Sequence, residues 1–332
     1  MKISRILTVV FALVLLFFFF RGVQLGETLD AIATASPPLI LLAVLIGISE
    51  YPFRALRWHY LLAPVKKISW VELLKPLLLS FAAGNITATG LGSFPRVIPI
   101  IKKYDVDRDF ALGTVGAEII LDTGAVVIGA FAVSMLSPVP SSVRTVGIIF
   151  AAVLFCVVFF TFRYFRRIAT TDYFLNGARS IPADVNGFAR IRMQLLSYLR
   201  DMILGLVLSL SKPSVLLRVL PLTLLIWLLE ATMFYTVTVA LGAGVGYLGG
   251  ATTMVSTHII IGLPSAPGFI GTLEMASSVA LMALGVRRPL ANAFALVMHA
   301  IIIIPSTAIG LFFWWKEKVP VDIVQIKNEL GY

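Results

Sequence analysis

Between two apolar runs, residues 262–274 read Gly262, Leu263, Pro264, Ser265, Ala266, Pro267, Gly268, Phe269, Ile270, Gly271, Thr272, Leu273 and Glu274. Two prolines, three glycines and a carboxylate interrupt what would otherwise be one long helix. Proline removes a backbone donor and clashes with the preceding turn, while glycine lets the chain reverse. In hydrocarbon every freed backbone group must be satisfied by protein or water, so such a break is tolerated only where it lines a cavity. The stretch is therefore expected to border a polar site inside a membrane, with Glu274 facing away from lipid.

The membrane setting follows from composition. Of 332 residues, 59% are hydrophobic and 13% charged, and the mean hydropathy is +0.96. Soluble domains carry about 25% charged residues. The single cysteine, Cys156, lies in an apolar run, which rules out a disulfide framework and a cysteine metal site. A net charge of +10 in an integral membrane protein reports cytoplasmic loops facing anionic lipid, not nucleic acid.

Taken in order, Lys2 and Arg5 precede an apolar run from Ile6 to Phe20 with no small-residue cleavage site close behind it. It is expected to be an uncleaved first helix with its N-terminus inside. A second run starts near Pro37 and ends among Arg54, Arg57, Lys66 and Lys67, which place its end in the cytoplasm. Residues 70–103 carry lysines at both ends and a polar, glycine-rich centre with Gly90, Gly92 and Pro95. A re-entrant hairpin accounts for both features. Phe110 to Leu136 and Val146 to Phe162 cross outward and back. The arginine-rich connection over about 163–212 stays at the cytoplasmic face, with Ile191 to Leu210 along the interface. A span over Val215 to Leu241 leads to a second broken segment, 251–286. Leu290 to Trp315 ends at Lys316 and Lys318, inside. The expectation is a single all-α transmembrane domain over 1–332, with six full crossings, two re-entrant hairpins (about eight hydrophobic segments) and both termini cytoplasmic. Two broken segments at corresponding places in two halves point to an inverted repeat with its site at mid-membrane.

Ionisable groups near a bilayer centre cost about 2.5–3.5 kcal/mol each on insertion scales, so they pair or face water. Glu50, Arg54, Arg57, Arg96, Glu118, Asp122, Glu230, Glu274, His258 and His299 all fall in apolar surroundings. Glu118 and Asp122 are four apart and share one helix face; together they can hold a proton, bind a cation or receive an arginine. Arg96 beside Pro95 suits bidentate recognition of phosphate or carboxylate, or else snorkels to the interface. Arg54 and Arg57 lie near a helix end beside Trp58, where interfacial anchoring is the plainer role; Arg57 is kept among the substrate contacts as well. Glu274 follows the second break, and His299 faces it as a proton carrier or a buried hydrogen-bond partner. His258 reads as a plain interior polar residue. Pro264, Pro267, Gly268 and Gly271, with Gly90, Gly92 and Pro95, are the candidate cavity backbone. No phosphate loop, nucleophile elbow, zincin helix or metal cluster is evident, so neither an enzyme nor a cofactor is expected.

These blocks resemble, in order and across nearly the whole chain, the membrane domain of lysylphosphatidylglycerol synthases, a flippase-like family. Arg54, Arg57, Trp58, Leu61 and Leu62 resemble its arginine-tryptophan-leucine block. Gly90, Leu91, Gly92, Ser93 and Arg96 resemble its glycine-glutamate-arginine block, and Glu118 with Asp122 its carboxylate pair. Pro264, Pro267, Gly268, Gly271 and Glu274 resemble its proline-glycine-glycine-glutamate block, the most specific of the four. Ser93 stands where the family commonly has glutamate, and Ile119 where arginine usually follows the first carboxylate. Phe269 replaces a glycine, and His299 falls near a position often held by arginine. The soluble aminoacyl-transfer domain of full-length synthases has no counterpart in these 332 residues.

The resemblance implies a lipid translocase in the cell membrane. It would move a phospholipid or a lipid-linked anionic headgroup between leaflets, with Arg96 engaging anionic oxygen and Glu118, Asp122 and Glu274 supplying counter-charge. A homodimer and a lipid-modifying enzyme partner stay open. The rival readings are a proton- or ion-coupled carrier of a small solute and a membrane partner subunit of a lipid-modifying transferase.

Overall fold

A computed structural model of the chain describes residues 23–86, 96–136, 212–262 and 267–317, together with scattered helical positions within 14–21, 145–163 and 206–210. Nine α-helices and no strands occur among the described residues. They are α1 (Leu25–Ala33), α2 (Pro37–Leu62), α3 (Trp70–Ile86), α4 (Val97–Tyr104), α5 (Arg108–Leu136), α6 (Pro213–Ala240), α7 (Tyr247–Ile261), α8 (Thr272–Ala283) and α9 (Arg288–Glu317). The runs expected at 6–20 and 146–162 and the connection at 163–212 lie largely outside the described residues, as do Gly90, Gly92, Pro95 and Pro264.

Four helices are long and apolar enough to cross a bilayer: Pro37–Leu62, Phe110–Leu136, Pro213–Ala240 and Arg288–Lys316. Prolines at the first positions of α2 and α6 start them where the missing amide costs nothing. Leucine, isoleucine and tryptophan on their outer faces, including Leu217, Ile128, Leu136 and Trp315, are strongly exposed; a hydrocarbon environment satisfies them and water would not. The chain is a polytopic, all-helical integral membrane protein.

The remaining helices are shorter. At 1.5 Å per residue α7 is about 22 Å long, α8 about 18 Å and α4 about 12 Å, all short of a hydrocarbon core of about 30 Å. α7 and α8 pack against each other across the 262–271 break. There Gly268, Phe269 and Gly271 all hold positive φ, at 64°, 60° and 85°. Gly271 is the N-cap of α8.

The halves α2–α5 and α6–α9 repeat one order: long helix, broken pair, long helix. α2 and α6, the first helix of each half, lie side by side. Ser36 N–H donates to the Ala240 carbonyl at 2.9 Å, Arg54 Nη2 reaches Glu230 Oε2 at 3.4 Å, and Arg57 Nη1 reaches Thr223 Oγ1 at 3.2 Å. Ascending numbers on one helix meet descending numbers on the other, so the two are antiparallel. The broken pair of each half packs against the last helix of the other, α3 on α9 and α7 on α5. Exchanged partners around an antiparallel central pair define an inverted repeat.

Small residues let these helices approach closely, as membrane packing favours. A Cβ on Gly310 of α9 would lie 2.5 Å from both Ala82 Cβ and the Leu78 carbonyl of α3. Asn85 at the end of α3 then donates to Ser306 and Thr307 of α9, each at 2.9 Å.

Candidate functional site

The polar core begins on α2, which places Glu50, Arg54 and Arg57 within two turns. Glu50 sits near the middle of that helix, roughly 20 Å from either end at 1.5 Å per residue. Spacing of four puts Glu50 and Arg54 on one face, and Arg54 Nη2 lies 2.9 Å from Glu50 Oε2. Three residues further, Arg57 is 2% exposed and turns toward α5. It grips Asp122 with both terminal nitrogens, Nη1 to Oδ1 at 2.7 Å and Nη2 to Oδ2 at 2.9 Å. Its Nε lies 3.6 Å from Glu118 Oε1.

Glu118 also receives Arg96, which precedes α4; its Nη2 donates to Glu118 Oε2. The Arg96 guanidinium lies over the indole of Trp58, 4.5 Å from the ring centroid, and Trp58 Nε1 donates to Thr114 Oγ1 of α5 at 2.9 Å. Arg96 is 5% exposed, and its Nε, fully buried, has no hydrogen-bond partner among the described residues.

α6 and α7 complete the cluster. Glu230 Oε1 lies 3.1 Å from His258 Nε2, and Trp227 Nε1 donates to Asp122 Oδ1 at 3.2 Å. The Trp227 ring also meets His258 edge-on, with centroids 4.8 Å apart, so one side chain joins the two parts of the network. Glu50, Glu118, Asp122 and Glu230 thus face Arg54, Arg57 and Arg96 across three helices, α2, α5 and α6, and the turn into α4, with His258 added from α7.

Glu274 and His299 form a separate pair. His299 Nδ1 lies 2.6 Å from Glu274 Oε1, while Glu274 Oε2 accepts the Gly271 N–H at 2.8 Å. The carboxylate therefore closes the break onto the start of α8, where the helix dipole favours negative charge, and ties it to α9. It is 5% exposed. The expectation that Glu274 turns away from lipid holds.

The structure brings Arg57, Arg96, Glu118 and Asp122 together and gives Glu274 and His299 each other. It corrects two expectations. Trp58 is 0% exposed, so the block around it is not an interfacial anchor: an indole at the interface would show its edge to headgroups, whereas this one lies beneath Arg96. His258 is no plain interior residue, because its Nε2 stands 3.1 Å from Glu230 Oε1. Glu50, Glu230 and His258 were marked only as ionisable groups in apolar surroundings; nothing local gave their pairing, since Glu230 and His258 stand on different helices. Among the described residues no group of three His, Cys, Asp or Glu is arranged to hold a metal ion.

A buried network of guanidiniums and carboxylates at the centre of an inverted-repeat helical bundle defines the chain as a membrane protein with a polar intramembrane site, the arrangement of transporter-like folds. The family model described as the lysylphosphatidylglycerol synthase TM region matches residues 5–310, and the chain belongs to that family of membrane domains. No curated protein matches it significantly.

Proposed function

We propose that this protein is a lipid translocase of the cell membrane, with both termini cytoplasmic, that passes a phosphate-bearing headgroup between leaflets while the tails remain in lipid. The reading is supported above all by Arg96. Its guanidinium is buried, stacked on Trp58, and held by Glu118, with Nε left without a hydrogen-bond partner among the described residues. A phosphate oxygen can take the place of the Glu118 carboxylate without leaving the cation bare, and Glu118 retains Arg57. Exchange of an internal carboxylate for a substrate anion is a means of coupling binding to rearrangement. The positive-φ residues at the second break and the antiparallel halves supply the moving parts. No chemical transformation of the lipid is involved.

Purified protein reconstituted into vesicles with labelled lipids tests the assignment. Arg96→Ala and Glu274→Ala are expected to abolish leaflet-to-leaflet movement in protein that stays folded by circular dichroism. Full activity in both variants would refute these roles. The synthase in the family's description supports a second reading, that of a membrane partner subunit for a lipid-modifying transferase. It would show stable co-purification with such an enzyme and no lipid movement alone.

A further inference from the structure

Four carboxylates and three guanidiniums meet in the buried network, which leaves one negative charge to be balanced. The hydrogen bonding of His258 shows where the balance lies. Its Nδ1 is 3.0 Å from the Met254 carbonyl; a carbonyl oxygen only accepts, so Nδ1 carries a hydrogen. The other ring nitrogen, Nε2, stands 3.1 Å from Glu230 Oε1. A neutral ring with its hydrogen on Nδ1 would aim a lone pair at a carboxylate oxygen. One further proton must therefore lie between His258 and Glu230, on either partner. It supplies the charge the network lacks.

A second acceptor stands close by. Arg54 Nη2 bridges Glu230 Oε2 and Glu50 Oε2, while Glu50 Oε1 is fully buried with no partner among the described residues. Pro52, inside α2, has no amide hydrogen to give the Ile48 carbonyl. The other charged or titratable groups facing this corner are Arg57 and Tyr51 from α2, Asp122 and Glu118 from α5, and Arg96 before α4; His299 on α9 is taken by Glu274.

We infer that the His258–Glu230–Glu50 corner is a proton-binding site, distinct from the Arg96 site, whose single proton moves between the His258–Glu230 pair and Glu50 Oε1 and couples lipid movement to a pH gradient. In the transfer the proton leaves the pair and bonds to Glu50 Oε1. Glu50 becomes neutral, Glu230 keeps its negative charge against Arg54, and the total is unchanged. Release to one side leaves the network with a bare buried charge, which an incoming proton or a rearrangement must relieve. The coupling rests on the translocase reading; the bound proton does not.

Two measurements on the full-length protein separate them. Histidine-labelled protein in lipid nanodiscs is examined by nitrogen NMR, with infrared difference spectra for a protonated Glu230, at pH 8, above the free-imidazole value of about 6.5. His258→Asn and Glu230→Gln assign the signals. A proton on Nε2 or on Glu230 at that pH supports the site, and a bare Nε2 with ionised Glu230 overturns it. In vesicles, lipid movement is followed with and without an imposed pH gradient. Wild type is expected to change rate at least fivefold with the gradient. Glu50→Gln, which removes the carboxylate proposed to receive the proton, is expected to lose that response. Movement indifferent to the gradient overturns the coupling and leaves the translocase reading standing. No lipid movement at all overturns that reading, and the spectra alone then decide the proton site.

Discussion

Replacing Arg57 by methionine removes the best-bonded cation of the network while keeping a long apolar stem. Arg57 makes two charge-assisted bonds to Asp122, at 2.7 and 2.9 Å, and such bonds contribute about 1.5–3 kcal/mol each. Breaking a buried ion pair by deleting one partner costs about 3–5 kcal/mol, because the other charge stays behind. The Asp122 side chain is 29% exposed, so water softens the loss and the lower end, about 3 kcal/mol, is expected. At roughly 2–4 °C per kcal/mol for a chain of this order of size, melting should fall by about 6–12 °C. Thermal unfolding in detergent or nanodiscs, followed by tryptophan fluorescence, reads it directly, since Trp58 and Trp227 both contact the cluster. Adding Asp122→Asn to Arg57→Met removes the stranded carboxylate and should recover at least about 1.5 kcal/mol, appearing as coupling in a double-mutant cycle. A single variant that melts with wild type, or losses that simply add, would refute the claim that this pair holds α2 to α5.

Further expectations concern the packing that places the site. Gly310→Leu should separate α9 from α3, because even a Cβ there meets backbone at 2.5 Å; a lowered melting temperature checks it, and loss of a disulfide engineered between Asn85→Cys and Thr307→Cys would show the separation directly. His299→Phe leaves Glu274 bonded only to the Gly271 amide among its described partners, so faster amide exchange is expected across 267–274 with little change in α2. Ser36→Pro removes the amide that reaches Ala240 at 2.9 Å and should loosen the crossing of α2 and α6, lowering stability by roughly 1 kcal/mol.

The elements that sequence exposed were those with local signals. The break at 262–274 was readable because proline and glycine act on their own backbone, and the shared face of Glu118 and Asp122 because helical spacing is local. The repeat showed itself as two polar interruptions in apolar text. Pairing was another matter. Arg57 and Arg96 were both in view, yet which carboxylate each would grip depends on how α2, α4 and α5 cross. Trp58 beside two arginines has the signature of an interfacial anchor; only the burial of Trp58 and Arg57 separates a belt residue from a stacking platform. Glu230 and His258 stand on different helices, and nothing near either foretells the other. Gly90, Gly92, Pro95 and Pro264 remain expectations of the sequence, outside the described residues.

The most direct test of the central claim is leaflet-to-leaflet movement of labelled lipids in proteoliposomes, over phospholipids of differing headgroup charge and a polyprenyl phosphate. Movement of a phosphate-bearing lipid class, abolished by Arg96→Ala in folded protein, is the predicted result. Folded wild-type protein that moves none of these lipids would contradict it and shift the account to a solute carrier or a transferase partner.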